Sequence, residues 1–275
     1  MFSVAGLAPF RGGRGALRLG LGALAVADWL DRGPGLAARI AARRQVLDTT
    51  PESLIVRPEA APAIAELAAL LGTAPTLRDA ALALRAAALA TYEDLLLLVP
   101  REAEHVLVAG AVAFPTDWDL SAKIGQPLAV IHAPIPTYAE KLARGVDHVF
   151  AALVPGRLLT RANWNVVETA ALRYLPAEHA THRFGHVTAA NAGETLLVRV
   201  ERQTLRRLPE SGAVVFTIGI YIEPLGALPP VLAADLARAV AGVPADEARR
   251  RGTPAYREAL SAWVAGAYPV PGARV

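Results

Sequence analysis

Residues able to do chemistry are few and unevenly spread along this chain. It has no cysteine, one methionine at Met1, and six histidines: His105, His132, His148, His179, His182 and His186. The missing thiols exclude disulfides, zinc ribbons, cysteine-bound iron–sulfur clusters and a cysteine nucleophile. A metal held by side chains therefore falls to histidine, carboxylate or tyrosine. His132 ends the apolar run PLAVIH at 127–132 and is followed by Pro134 and Pro136. Both prolines hold the backbone extended, and an imidazole at such a strand-to-helix junction can face a pocket. A packed structural histidine fits the same pattern. His179, His182 and His186 would share one face of a helix and could ligate a metal there. Gly185 and the Asn191-Ala192-Gly193 turn signal make that stretch read as a loop of solvated histidines instead. His105 and His148 read as ordinary.

Two polar clusters follow. In the segment 199–209, a continuing strand puts Arg199 and Glu201 on one face, and Val198, Val200 and Arg202 on the other. That is either an anion clamp of guanidinium forks or a charged edge strand that resists aggregation. In Arg161-Ala162-Asn163-Trp164-Asn165, the tryptophan lines a cavity or simply packs. Familiar motifs are missing. Residues 20–25 (GLGALA) match a dinucleotide loop only loosely, lacking a preceding strand and an acidic partner. No P-loop, G-x-S-x-G elbow or H-E-x-x-H is present.

The elements that position these residues change character along the chain. Helical patterns cover 35–47, 59–71 and 77–98, the last closed by Pro100. The runs 105–114 and 127–132 are strand-like. So are 195–200 and 213–223, rich in β-branched and aromatic residues. Between them Thr137 and Glu140 form a capping box. Tyr138, Leu142, Val146, Phe150 and Leu153 then recur on one helix face, opposite Lys141, Arg144 and His148. Helices return at 230–242 and 254–266. This order indicates an α+β chain. It reads as one domain: a helical flank at about 1–100, a core at about 101–225 and C-terminal helices at about 226–275.

Composition agrees with a packed chain. Of 275 residues, 53% are hydrophobic and the net charge is +3, so the chain can bury a core. Only Lys123 and Lys141 are lysines, so its positive charge comes almost wholly as planar bidentate forks. No basic run with interleaved aromatics suggests nucleic acid. No apolar window is long enough to span a membrane. Arg11, Arg14 and Arg18 precede a short apolar stretch ending at Ala27, loosely like a signal peptide. That stretch runs on into Asp28-Trp29-Leu30, which favours the cytoplasm.

Four ordered segments carry a resemblance. They are Phe114-Pro115-Thr116-Asp117-Trp118-Asp119-Leu120 with Lys123-Ile124-Gly125; Ile131-His132-Ala133-Pro134-Ile135-Pro136; Arg161-Ala162-Asn163-Trp164; and Arg199-Val200-Glu201-Arg202-Gln203-Thr204-Leu205 with Leu208-Pro209-Glu210-Ser211-Gly212-Ala213. Together they resemble the family of haem-dependent oxidative N-demethylase alpha-subunit-like proteins, over roughly residues 9–228. The resemblance implies a PAS-like antiparallel sheet core that binds haem b. It implies a monooxygenase-type demethylation of a small secondary amine such as dimethylamine, using O2. Electrons would come from NADPH through reductase partner subunits carrying flavin and an iron–sulfur centre. Carried over by residue, His132 is the expected iron ligand. Arg161, Arg199 and Arg202 are expected at the haem propionates, and Trp118, Trp164 and Tyr221 at the pocket wall. A secondary amine is cationic near neutral pH, so Asp117, Asp119 and Glu201 are the acids expected to meet it. The same scaffold also suits a non-catalytic haem or gas sensor, or a haem-free small-molecule binder.

Overall fold

The computed structural model describes residues 2–16, 18–73, 79–102, 104–133, 143–175 and 183–267. The Thr137/Glu140 capping box, Tyr138, Leu142, His179 and His182 lie outside them. Seven strands form one antiparallel sheet: β1 (Gly22–Leu24), β2 (Leu54–Val56), β3 (Asp94–Arg101), β4 (Glu104–Ala111), β5 (Leu158–Val167), β6 (Leu197–Arg207) and β7 (Val214–Pro224). Their spatial order is β1-β5-β6-β7-β3-β4-β2. Helices α1 (Val4–Leu7), α2 (Leu36–Thr49), α3 (Ala61–Leu70) and α4 (Ala80–Ala88) precede β3. Then α5 (Leu128–His132) and α6 (Ala143–Ala152) stand between β4 and β5, and α7 (Ala192–Thr195) before β6. Finally α8 (Pro230–Ala241), α9 (Ala245–Arg250) and α10 (Arg257–Ala267) close the chain. The α+β class expected from the sequence is what the fold shows.

The first hundred residues are not purely helical. They supply β1, β2 and most of β3. The expected helix 77–98 is two elements, because α4 ends at Ala88 and the leucines that follow become β3. A remote side chain holds the turn that follows the break. Arg43, fully buried on α2, donates Nη1 to the carbonyls of Ala88 and Thr91, and Nη2 to that of Tyr92. It also ion-pairs with Asp94 at 3.1 Å. Of the helix's own carbonyls only Ala88 is reached this way, while Arg85 and Ala87 accept locally from the Leu89 and Ala90 N–H groups; what Arg43 fixes across the fold is the turn between α4 and β3, a signal that local pattern does not carry. In β3, Leu95 and Leu97 face one core cluster, and Leu96 and Leu98 the other. A strand buried on both faces reads as a continuous apolar run, and its periodicity cannot be told from a buried helix.

Two further expectations change. The run 127–132 is the short helix α5, not a strand. And β6 is no edge strand: β5 and β7 flank it along its whole length. The expected helices 35–47, 59–71, 230–242 and 254–266 and strands 105–114 and 213–223 stand within three residues of their observed bounds, whereas β6 runs on to Arg207, past the expected end at 200, and the helix expected from Thr137 is described only from Ala143.

Strand register divides the sheet into two faces. One face carries Trp164 and Val166 of β5, Val198, Val200 and Arg202 of β6, and Gly219 and Tyr221 of β7. Its apolar part packs against α8 and α10 toward one end and against α3 and α4 toward the other. The opposite face carries Arg161, Asn163 and Asn165 of β5, Arg199, Glu201 and Gln203 of β6, and Ile218, Ile220 and Ile222 of β7. Leu128 and Ile131 of α5, Phe150 of α6 and Phe114 pack into the core on that second face.

Candidate functional site

His132 is the last residue of α5. Its Nδ1 lies 2.8 Å from the carbonyl oxygen of Leu128, one helical turn back. A carbonyl only accepts, so Nδ1 carries the proton and Nε2 keeps its lone pair. Burial pushes the imidazole below its ordinary value. The Leu128 hydrogen bond opposes that shift, and the cations Lys123 and Arg161 add to it. His132 is therefore a neutral, half-buried imidazole in a fixed tautomer. Lys123 helps hold the turn, since its Nζ donates to the Ile131 carbonyl at 2.6 Å and sits 5.7 Å from the Trp118 ring centroid. Burial lowers the Lys123 ammonium as well.

The expected site residues do not form one group. His132, Arg161, Arg199 and Glu201 belong to the α5 face of the sheet. Arg202, Trp164 and Tyr221 belong to the other. Arg202 is buried there, donating to the carbonyls of Asp28 and Trp29 and pairing with Glu93 at 3.4 Å. The hydroxyl of Tyr221 donates to Asp31 Oδ2 at 3.0 Å. Trp164 packs edge-on to Phe10. Arg202 and Tyr221 thus serve the protein's own cohesion across the sheet from α5, whereas Trp164, at the uncovered edge of β5, also lines the cleft that Arg161 borders.

On the α5 face, Arg199 is fully buried and its donors are already engaged. Its Nε meets Thr116 Oγ1 at 2.8 Å, Nη1 the Ala171 carbonyl at 3.2 Å, and Nη2 the Phe114 and Leu172 carbonyls at 3.1 and 2.8 Å. Burial pushes its pKa down to about 10, still protonated at neutral pH. Arg199 is a clamp, but on its own backbone. Arg161 donates to the Arg18 carbonyl at 3.0 Å and to Asn163 Oδ1 at 2.5 Å, and it lines an open cleft of about 340 Å³.

The three acids also separate. Asp119 accepts from the Ser121 N–H at 2.8 Å and shapes a turn. Asp117 pairs with Arg250 at 2.8 Å; its φ of 61° is a left-handed conformation that aspartate tolerates better than most residues. Burial raises the Asp117 carboxyl, against Arg250 and Arg183. Glu201 lies on the α5 face, with Oε2 accepting from Gln203 Nε2 at 3.1 Å. Beside it in the same face, Asn165 Oδ1 is buried without a hydrogen-bond partner.

One buried cluster escaped the sequence reading. Glu93 is fully buried at the start of β3, with Oε1 on the Asp31 N–H at 2.8 Å and Oε2 unpartnered. Burial pushes its carboxyl up to about 7. Gly219 makes the room: a Cβ there would stand 3.2 Å from the Tyr221 ring and 3.4 Å from Glu93. The only hint in the sequence is the polar break Thr91-Tyr92-Glu93-Asp94 inside an otherwise apolar run. Among the described residues no group of three or more histidines, cysteines or acids is placed to hold a bare metal ion. His186 is exposed.

Fold and site thus define an α+β protein with a neutral imidazole held over one face of an antiparallel sheet. A family model described as haem-dependent oxidative N-demethylase, alpha subunit-like, matches residues 71–261, and the chain belongs to that family.

Proposed function

We propose that this chain is the haem-binding subunit of an oxidative N-demethylase acting on a small secondary amine. The observation that carries this reading is His132. Haem iron takes a neutral imidazole whose second nitrogen is hydrogen-bonded to a carbonyl or carboxylate, which orients the ring and raises its basicity. In His132 the Leu128 carbonyl fixes the tautomer in which Nε2 is the basic nitrogen. The face it overlooks suits a flat apolar ring: Ile131, Leu159, Phe216 and Ile222 are only half-buried there. The residues fit the group. Five contiguous strands in the order β5-β6-β7-β3-β4, with α5 and α6 between β4 and β5, support the PAS-like reading.

Bound haem b would supply the redox centre that activates O2. The chain's own residues would do the rest. His132 would hold the iron through Nε2. Of the three expected arginines, Arg161 would meet a propionate, because Arg199 and Arg202 are spent internally. Glu201, the acid on the α5 face, would accept hydrogen bonds from the cationic amine. Trp118 would shield the Lys123 side of the imidazole. The overall change converts an N-methyl amine, O2, two electrons and two protons into the demethylated amine, formaldehyde and water. Electrons would come from partner subunits bearing flavin and an iron–sulfur centre; the alpha-subunit description of the family supports the existence of further subunits. Among the described residues no helix is long and apolar enough to cross a membrane. We place the protein in the cytoplasm. The stretch that resembles a leader contributes β1, and it also contributes the Asp28 and Trp29 carbonyls that hold Arg202.

Formaldehyde release tests the reading. The haem-loaded chain with a competent reductase and dimethylamine should form formaldehyde, and Glu201→Gln should raise KM more than it lowers kcat. A Soret band without turnover across a panel of secondary amines would favour a sensor. No Soret band after haem addition would leave a haem-free binding protein.

A further inference from the structure

β1 covers the outer edge of β5 only along Leu158–Thr160. Beyond that point, from Arg161 onward, the edge faces the cleft of about 340 Å³, which is lined by Arg11, Arg14, Arg18, Arg161, Arg251 and Trp164, among others. Among the described residues no acidic side chain lines it. Arg251 has a counter-charge, Glu247, at 2.6 Å. Arg11, Arg14 and Arg18 make no ion pair among the described residues.

The walls are fixed in place. Gly15 is pressed against the end of α8, where a Cβ would lie 2.1 Å from the Ala239 carbonyl oxygen. The Arg18 carbonyl is tied to Arg161, and Arg251 Nη1 donates to the Trp164 carbonyl at 3.0 Å. Like charges are thus held around one concavity against their mutual repulsion, which an anion would relieve. Guanidinium forks suit phosphate and carboxylate oxygens bidentately. The volume falls at the small end of the ligand-site range of about 300–1,000 Å³.

We propose that this cleft binds a small molecule bearing two anionic groups, phosphates or carboxylates. One group would be gripped by the arginines of the N-terminal segment and the other by Arg161 and Arg251. The anions could belong to a free phosphate compound or to the two propionates of haem. The site itself stands whether or not His132 holds iron.

The test is calorimetric titration of the full haem-free chain with inorganic pyrophosphate at low salt, beside the double variant Arg14→Gln/Arg18→Gln. Both arginines are exposed, so the variant should fold. Pyrophosphate should bind the wild type and raise its Tm. It should bind the variant at least about tenfold more weakly, the loss of one or two charge-assisted contacts. Absence of binding to the wild type, or undiminished binding to the variant, overturns the proposal. Repeating the titration after haem loading identifies the source. Lost pyrophosphate binding, restored when the haem propionates are esterified, assigns the cleft to the propionates. Retained binding assigns it to a separate phosphate-bearing ligand.

Discussion

Glu93 should make this protein lose stability as pH rises through the neutral range. The perturbation that isolates it is Glu93→Gln, which keeps an acceptor for the Asp31 N–H and removes the titration. The carboxyl is fully buried and raised from 4.5 to about 7, chiefly by desolvation, against the hydrogen bond from Asp31 and the charge of Arg202. Between those values the folded chain holds a proton that the unfolded chain has released. Stability is then full below the unfolded value and falls until pH passes the folded one. At about 1.4 kcal/mol per pH unit, the raised value is worth about 3 kcal/mol in total. Urea unfolding of both proteins at pH 5, 6, 7 and 8 reads it directly. The difference, wild type minus variant, should fall by about 2–3 kcal/mol across that range. His132, whose lowered value acts in the opposite direction, is common to both proteins and cancels. Parallel profiles would refute the reasoning, because they would mean that Glu93 is not desolvated as the fold places it.

Other consequences concern the internal clamps. Arg199→Lys cannot reproduce the fork on Thr116, Phe114, Ala171 and Leu172, and should cost about 2–4 kcal/mol in chemical denaturation, as for charge-assisted hydrogen bonds lost to buried acceptors. A loss under about 1 kcal/mol would contradict the assignment of Arg199 as a structural clamp. Tyr221→Phe deprives Asp31 of a donor and should cost about 1–2 kcal/mol while leaving haem uptake and the Soret band unchanged. A shifted band would put Tyr221 on the cofactor side of the sheet, against the register.

Much of this was legible in the sequence, for local reasons. The β-branched run that becomes β7 and the helices after Pro224 announce themselves by composition and period. His132, Arg161 and Glu201 stand out as chemically able residues in short motifs, and the fold places them toward one face. What was hidden is long-range. Nothing local says that Arg43 holds the turn after α4 from across the chain, so Leu95–Leu98 read as helix. The alternation of β6 correctly separated Arg199 from Arg202. It could not say that β6 is central, so two internal clamps read either as anion forks or as charges of an edge strand. The cleft arginines Arg11, Arg14 and Arg18 looked like the charged end of a leader, because only tertiary contact sets them against β5.

The central claim is that His132 Nε2 is the iron ligand. The most direct measurement is electron paramagnetic resonance and optical spectroscopy of the haem-loaded protein and of His132→Gly, with and without added imidazole. The wild type should show imidazole ligation, the glycine variant should lose it, and imidazole should restore it. An unchanged axial ligand in His132→Gly would contradict the account.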